Sequence, residues 1–259
     1  MSCNLTCEII STGSRNGNAV LLNGAYLFDC GIGYNRLKPY LKDVRIVFLT
    51  HIHTDHFSRR TLHNIHKAHP MTRFVCPRHL LVPLCSEAGV HPASIVPAIP
   101  GEPITLTGFG SEQVTIQTFD LEHDVENVGY IVSIQGGELD GTAMYATDTR
   151  RIPVPAPGLD LYMIEANHTV SGIQQRIRRK IEAGGFCYEE RAKITHMSRE
   201  EADAWLAANA NPYTSHVVYL HTHIEEKGVT TYGPVDSGLS QTPGAPEDQP
   251  SSPYAVIEW

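Results

Sequence analysis

The stretch LTHIHTDHF (49–57) directly follows RIVFL (45–49), an apolar run whose β-branched and aromatic residues predict a strand covered on both faces. Three imidazoles and a carboxylate fall within six consecutive positions, at His51, His53, Asp55 and His56. If the chain stays extended after the apolar run, His51 and His53 project to the same side, because side chains alternate along a strand. A turn into the helix predicted to begin near Phe57 then brings the other two side chains beside them.

These four side chains offer nitrogen and oxygen donors at the end of a buried strand, a set that suits zinc, iron or manganese. No cysteine belongs to the cluster, so it is not typical of a structural zinc site. The sequence predicts instead a catalytic centre with coordination positions open to water. The alternative is a histidine-rich loop without function, since the chain contains 14 histidines.

The composition limits the class of protein. With 259 residues, of which 41% are hydrophobic, the chain is long enough for one complete core without a second domain. Its six cysteines are scattered, and we find neither a secretion signal nor a run of about 18 apolar residues. We therefore expect reduced thiols, a cytoplasmic protein and no membrane partner. The net charge of −8 argues against a generally basic surface for nucleic acid but leaves room for a local basic track.

Strand-like and helix-like segments alternate along the chain. Apolar or alternating runs predict strands at NAVLLN (18–23), AYLFDCG (25–31), VTIQTFDL (114–121), VGYIVSIQ (128–135), TAMYATD (142–148), DLYMIEAN (160–167), HVVYL (216–220) and YAVIEW (254–259). Helical spacing predicts helices over 58–69, 171–183 and 198–210. The Pro-, Ser- and Gly-rich segment 233–253 is expected to be irregular. This order predicts a layered α/β domain.

Six consecutive residues cannot complete the coordination of two metal ions, so further donors are needed. Three candidates stand at the ends of strand-like runs: His123, Asp148 and His221. The run VVYLH (217–221) repeats the pattern of IVFLTH (46–51), an apolar strand that ends near a histidine. Taken alone, each candidate is more often an ordinary polar or capping residue; together with the cluster they fit one metal centre.

The motif THIHTDH (50–56) with FDCG (28–31) upstream, followed by His123, Asp148 and His221 in that order, resembles the metallo-β-lactamase-fold superfamily. The resemblance implies a four-layer αββα sandwich, one domain over residues 1–259, with metals at one edge of the two sheets. The segments STGSRNGNAVLL, YATDT, IEANH, THMS and YLHTH resemble the WalJ (YycJ) proteins, which are similar to the nucleases of the RNase J and RNase Z branches. The chain lacks the large inserted domain of the RNase J branch.

The resemblance also implies a ligand set for two divalent ions, zinc in the first place and manganese or iron as alternatives. One ion would be held by His51, His53 and His123. The other would be held by Asp55, His56 and His221, with Asp148 bridging the two ions. For the last ligand, His223 and His216 are the alternatives to His221.

Hydrolysis by a metal-activated water is the expected reaction, with Asp55 counted among the catalytic residues. The departing group needs a proton, for which His168 and His196 are candidates because imidazole titrates near neutral pH. The resemblance to the RNase J branch favours His196 as the acid, with Glu165 as a carboxylate that tunes a histidine. Asp29 is either a residue that orients a ligand or an ordinary turn aspartate.

The predicted helix over 171–183 is basic, which indicates either a solvated helix face or a cationic rim that binds a phosphodiester backbone. Its cations are Arg176, Arg178, Arg179 and Lys180. The favoured function is that of a phosphodiesterase or nuclease acting on nucleic acid or a nucleotide. The alternatives are a hydrolase of small carboxylic substrates (a lactone, thioester or β-lactam) and a metal- or nucleotide-binding sensor without turnover.

Overall fold

Short runs of mostly buried residues form two β-sheets in the computed structural model, which describes residues 5–107, 110–221, 231–233 and 255–257. The first sheet has the order β1-β2-β3-β4-β5-β6. Its strands are β1 (Cys7–Ser11), β2 (Ala19–Leu22), β3 (Tyr26–Phe28), β4 (Ile46–Phe48), β5 (Arg73–Pro77) and β6 (Ile95–Ala98). Strands β1 to β3 pair antiparallel and β3 to β6 pair parallel.

The second sheet has the order β14-β13-β12-β11-β10-β9-β8-β7. Its strands are β7 (Ile104–Thr107), β8 (Gln113–Leu121), β9 (Asn127–Gln135), β10 (Gly141–Ala146), β11 (Leu161–Glu165), β12 (His216–Leu220), β13 (Thr231–Gly233) and β14 (Ala255–Ile257). Strands β10, β11 and β12 pair parallel, so their carboxyl ends meet at one edge of the sheet. The other described pairs are antiparallel.

Helices cover the outer faces of both sheets. They are α1 (Tyr34–Leu37), α2 (Arg59–Ala68), α3 (Val170–Glu182), α4 (Glu189–Thr195) and α5 (Arg199–Asn209). Leu62 and Ile65 of α2 pack on the first sheet in a cluster with Val47. Leu206 of α5 packs on the second sheet in a cluster with Tyr162. The layer order helix, sheet, sheet, helix confirms the predicted four-layer αββα sandwich.

Aromatic side chains fill the space between the two sheets and fix the edge at which β4 ends. Phe28 stacks on Phe48 with ring centroids 4.7 Å apart and on Tyr145 of the second sheet at 4.8 Å. The buried Tyr130 hydroxyl donates a hydrogen bond of 2.6 Å to the carbonyl of Leu49. Because this bond joins the second sheet to the first residue after β4, it fixes where the histidine-rich loop leaves the core.

The predicted strands and helices are confirmed with small shifts in their bounds, including YAVIEW as the edge strand β14. The strand β4 ends at Phe48, so residues 49–54, considered as an extended continuation of the apolar run, lie outside it. Strands β1, β5, β6, β7 and β13 and helices α1 and α4 were not predicted. Pro97 lies within β6, which lies at the end of its sheet, where the ladder tolerates a proline. In the segment predicted to be irregular, residues 234–253 lie outside the described residues.

No helix in the described parts of the chain is both long enough and apolar enough to cross a lipid bilayer. The cysteines that the structure describes are free thiols, as expected: Cys7, Cys30, Cys76, Cys85 and Cys187.

Helix α5 begins with a reciprocal cap. The Ser198 hydroxyl accepts a hydrogen bond from the Glu201 backbone N–H, and Glu201 Oε2 accepts one of 2.9 Å from the Ser198 backbone N–H. The other carboxylate oxygen of Glu201 lies 2.6 Å from Arg150 Nη1. Partial burial acts to raise the pKa of Glu201, but hydrogen bonds from Arg150 and Ser198 outweigh it and lower that pKa from 4.5 to about 2.

Glu201→Gln is expected to lower the free energy of unfolding at pH 7 by about 0.5–1 kcal/mol, because the carboxylate is partly exposed and solvent screens the Arg150 pair. The folded-state pKa lies below the unfolded value, so Glu201 stabilises the fold fully above about pH 4.5 and less as the pH falls towards 2. Urea unfolding between pH 7 and pH 3 should therefore show the gap between wild type and variant shrinking below pH 4.5. Glu190→Gln serves as the control, and a gap independent of pH would contradict the prediction.

Candidate metal centre

The ends of several strands meet at one edge of the sandwich and deliver the candidate donors there. Asp148 follows the end of β10, Glu165 ends β11 and His221 follows β12, all in the parallel part of the second sheet. His123 lies in the turn between β8 and β9. His216 begins β12, about 16 Å of strand away from His221, so it lies at the far end. The remaining alternative, His223, lies outside the described residues.

His51, His53 and His123 form one group of donors. Their ligand atoms lie within 4.8 Å of one another, and His53 Nδ1 faces His123 Nε2 at 3.4 Å. The rings of His51 and His53 are 4.8 Å apart between centroids. The two histidines therefore converge as predicted, in the segment that follows the end of β4 at Phe48.

His51, His56 and Asp148 form a second group that shares His51 with the first. Asp148 Oδ2 lies 2.5 Å from His56 Nε2 and 3.9 Å from His51 Nε2. Its other oxygen lies 3.5 Å from His221 Nδ1, and Asp55 Oδ2 lies 3.6 Å from His56 Nε2. One buried carboxylate is thus placed between the two groups.

The backbone is strained at this edge. Of the four described non-glycine residues with positive φ, three lie here: Asp29 at 59°, Asp148 at 50° and His221 at 57°. Such conformations cost free energy and concentrate at functional sites. Gly31 allows a close approach, since a Cβ there would lie 1.7 Å from the Asp55 carbonyl oxygen. The fold therefore holds these side chains in positions that relaxed turns would not give.

Asp29 supports two of the imidazoles from beneath. The fully buried carboxylate accepts hydrogen bonds from the Thr50 hydroxyl, from the Tyr145 hydroxyl and from His56 Nδ1, the last at 2.7 Å. The Thr50 hydroxyl in turn lies 2.9 Å from His51 Nδ1. With both Nδ1 atoms engaged, His51 and His56 present their Nε2 atoms to the centre, which is the placement that an orienting carboxylate produces.

His196 and Glu165 form a pair beside Asp148. His196 Nδ1 lies 2.7 Å from Glu165 Oε1 and 3.4 Å from Asp148 Oδ1. Although burial lowers it, Glu165 and Asp148 raise the pKa of His196 to about 9. His168, by contrast, is buried next to Asn167, and burial lowers its pKa to about 4.

The electrostatics of the cluster favour a cation. Burial lowers the pKa of His51, His53 and His123, the last to about 4, so these rings are neutral and able to act as ligands. For His56, burial is outweighed by Asp148 and Asp29, which raise its pKa well above the usual value. Likewise, burial alone would raise the pKa of Asp148, yet the surrounding histidines lower it well below the usual value.

The donor set fits divalent metal ions. His51 Nε2 and His221 Nε2 are buried and have no hydrogen-bond partner among the described residues, a costly state that coordination would relieve. Neutral imidazoles and ionised carboxylates without a thiolate suit zinc, manganese or iron. The cluster is thus a candidate divalent metal site, and Asp148, Glu165 and His196 form a third group of donors close enough to hold an ion.

An open pocket of about 230 Å³ gives access to these donors. Its described lining includes His196, Arg191 of α4 and Tyr188, the residue before α4. The described lining does not include His168 or the four cations predicted from α3: Arg176, Arg178, Arg179 and Lys180. Lys180 instead lies 2.8 Å from Glu189 and above the Tyr188 ring at 3.8 Å.

Sequence reasoning missed two residues that contact the donors, Asn18 and Asp124, and the cation that holds one of them, Arg191. Asn18 Nδ2 lies 2.7 Å from His56 Nε2, Asp124 contacts His53 and His123, and Arg191 contacts Asp124. Asp124 follows His123 directly and could have been considered as its supporting carboxylate. Nothing in the local sequence of Asn18 or Arg191 indicates their contacts, which depend on how distant segments pack.

Comparison with known proteins gives a family and a fold. The family profile described as the beta-lactamase superfamily domain matches residues 25–223. The metallo-beta-lactamase fold protein YhfI from Bacillus subtilis has a TM-score of 0.59 at 17% identity, over 86% of this chain and 88% of that one. The Zn(2+)-bound PqqB from Methylobacterium extorquens has a TM-score of 0.56 at 13% identity, over 83% of this chain and 88% of that one. No curated protein matches the chain.

Proposed function

Because the chain belongs to the metallo-β-lactamase superfamily, we propose that it is a dinuclear metal-dependent hydrolase of phosphodiesters, acting on nucleic acid or on a nucleotide. The observation that carries the proposal is the position of Asp148 between two groups of histidine donors, beside the His196–Glu165 pair. A carboxylate placed in this way can bridge two cations, and two cations are a recurrent means of phosphodiester hydrolysis.

The residues that would hold the cations fall into two sets. The first set is His51, His53 and His123. The second set is Asp55, His56 and His221, with Asp148 shared between the two. When bound, divalent ions supply Lewis acidity, which makes water nucleophilic at neutral pH and neutralises charge on a phosphoryl oxygen. Asp29 keeps His51 and His56 in the orientation that this task requires.

We assign to His196 the proton that the leaving oxygen takes up. Its Nδ1 is engaged by Glu165, so Nε2 is the atom that can donate into the pocket. The Glu165 carboxylate favours the imidazolium form and fixes the ring, while Glu165 Oε2 itself accepts a 2.7 Å hydrogen bond from the Thr149 backbone N–H. His168, buried and outside the described lining of the pocket, has no part in this scheme.

Exposed cations and an exposed aromatic ring occur in α3 and in the segment that follows it. Helix α3 carries exposed Arg178 and Arg179, and Phe186, between α3 and α4, has 88% of its surface exposed. Exposed aromatic rings and cations are typical of surfaces that bind single-stranded nucleic acid. Arg191 brings a further cation to the pocket itself. These features support a nuclease of the kind that the WalJ, RNase J and RNase Z resemblance suggests.

The experiment compares two chromogenic substrates. Protein loaded with zinc or manganese is expected to hydrolyse bis(p-nitrophenyl) phosphate at least 100-fold faster than His53→Ala, and to leave nitrocefin and lactones intact. Hydrolysis of nitrocefin or a lactone without phosphodiester cleavage would replace the proposal with a hydrolase of carboxylic substrates. Stoichiometric metal binding without turnover of either class would indicate a sensor.

Arg178→Gln combined with Arg179→Gln is expected to raise the KM for a single-stranded oligonucleotide about tenfold at low salt, because two phosphate contacts are lost. The dependence of log KM on log salt concentration should become shallower by about 1.4 in slope, or about 0.7 for each contact to a single strand. Oligonucleotide cleavage between 50 and 200 mM salt measures both effects. The control is Lys67→Gln combined with Arg60→Gln on α2, and an equal effect from the two pairs would contradict a role for α3.

A further inference from the structure

Asp124 lies between two of the donor histidines and helix α4. Its Oδ1 atom is 3.4 Å from His53 Nε2 and 3.0 Å from His123 Nε2. The Arg191 guanidinium of α4 contacts its other oxygen, Oδ2. The side chain of Asp124 is 20% exposed, so the carboxylate is neither freely solvated nor fully buried.

The contact between Asp124 and His53 concerns the orientation of the His53 ring. His53 turns Nδ1 towards His123, at 3.4 Å from its Nε2, so Nε2 is the ring nitrogen that faces Asp124. A histidine that binds a metal almost always donates its second ring N–H to a carboxylate, a carbonyl or water. Among the described residues, the carboxylate facing His53 Nε2 is that of Asp124.

Three other rings of the cluster already have such partners. His56 Nδ1 is held by Asp29, His51 Nδ1 by Thr50 and His196 Nδ1 by Glu165. Among the candidate metal donors, His53 has the most exposed side chain, at 34%. It is therefore the ring that most needs an external support to keep one orientation.

We infer that Asp124 and Arg191 form a positioning pair: Asp124 orients His53 towards the first donor group, and Arg191 holds Asp124 in place, which makes α4 a support of the metal centre. This inference rests on the metal centre of the proposed function. Arg191 also lines the pocket, so a phosphate that draws on its guanidinium competes with Asp124 for it.

Zinc affinity tests the pair without relying on turnover. Competition against a chromophoric chelator should show Asp124→Ala weakening one of two zinc ions about 10- to 100-fold while the second ion stays bound as in wild type. Asp124→Asn keeps a hydrogen-bond acceptor and should recover part of the loss, and Arg191→Gln should lose less than Asp124→Ala. The controls are Glu126→Ala, in the same turn with 79% of its side chain exposed, and Lys193→Gln on α4.

The outcomes separate the two proposals. If the zinc affinity of Asp124→Ala lies within twofold of that of wild type and of Glu126→Ala, the positioning role of Asp124 is overturned while the proposed function stands. The same follows if Asp124→Asn binds zinc no more tightly than Asp124→Ala. A wild-type protein that takes up no zinc would overturn the proposed function first. Thermal unfolding of the metal-free variants should give a Tm within a few degrees of that of wild type. If Asp124→Ala does not fold, the zinc affinity of Arg191→Gln decides the test instead.

Discussion

Asp148→Asn is expected to lower kcat/KM for phosphodiester hydrolysis by about 10³-fold or more and to reduce the bound zinc from about two ions per chain to one or fewer. The carboxylate is buried, and its two oxygens lie within 4 Å of four different histidines. An asparagine of the same shape keeps the packing but removes the negative charge that the two donor groups share. Asp55, the other carboxylate of the ligand set, has one ion pair in the described part of the centre, with His56 at 3.6 Å.

Parallel measurements of metal content and rate test this prediction. Asp43→Asn, an exposed aspartate before β4, serves as the control and should behave as wild type. Because asparagine has the same shape as the Asp148 side chain and keeps the packing, the replacement is not expected to unfold the protein. Circular dichroism checks the fold of the variant. A variant that retains two zinc ions and a rate within tenfold of wild type would contradict the role of Asp148 as a ligand shared by the two ions.

His196→Ala is expected to reduce kcat by about 10²- to 10⁴-fold for a substrate whose leaving group is a sugar alkoxide, without loss of zinc. The reason is that an alkoxide must be protonated as it departs. p-Nitrophenolate leaves without protonation, so the same variant should lose far less activity on bis(p-nitrophenyl) phosphate. Glu165→Gln, which removes the charge beside His196 Nδ1, should show the same substrate dependence with a smaller loss.

The comparison of the two leaving groups is what distinguishes a proton donor from a residue that only shapes the pocket. His216→Ala is the matched control, since His216 lies at the opposite end of β12 from the centre. Equal losses on both substrates, or loss of zinc in His196→Ala, would contradict the role of general acid.

Local rules predict a layered α/β domain, because apolar runs form buried strands and helical spacing places helices between them. The four-layer sandwich itself was implied by the resemblance to the metallo-β-lactamase fold. His123, Asp148 and His221 were found as residues at the ends of strand-like runs, although His123 lies in the turn between the antiparallel strands β8 and β9. His51 and His53 were expected to converge if the chain stays extended after the apolar run, and they do converge, in the segment after β4 ends at Phe48.

The supporting residues could not be predicted because they act across long distances in the chain. The Asn18 side chain contacts His56 because Gly31, which has no Cβ, lets the neighbouring backbone lie against the Asp55 carbonyl. The cation in the pocket comes from α4, a helix of seven residues that follows Gly184 and Gly185 and has too short an apolar pattern to be recognised. The basic helix α3 was recognised by its charge, but charge alone does not indicate which cations face the pocket.

Anomalous diffraction from a zinc-loaded crystal, recorded at the zinc absorption edge, tests the central claim most directly. The account predicts two peaks about 3.5–4 Å apart on either side of the Asp148 carboxylate. One peak should lie against His51, His53 and His123, and the other against Asp55, His56 and His221. The absence of any peak among these seven side chains in fully loaded protein would contradict the account.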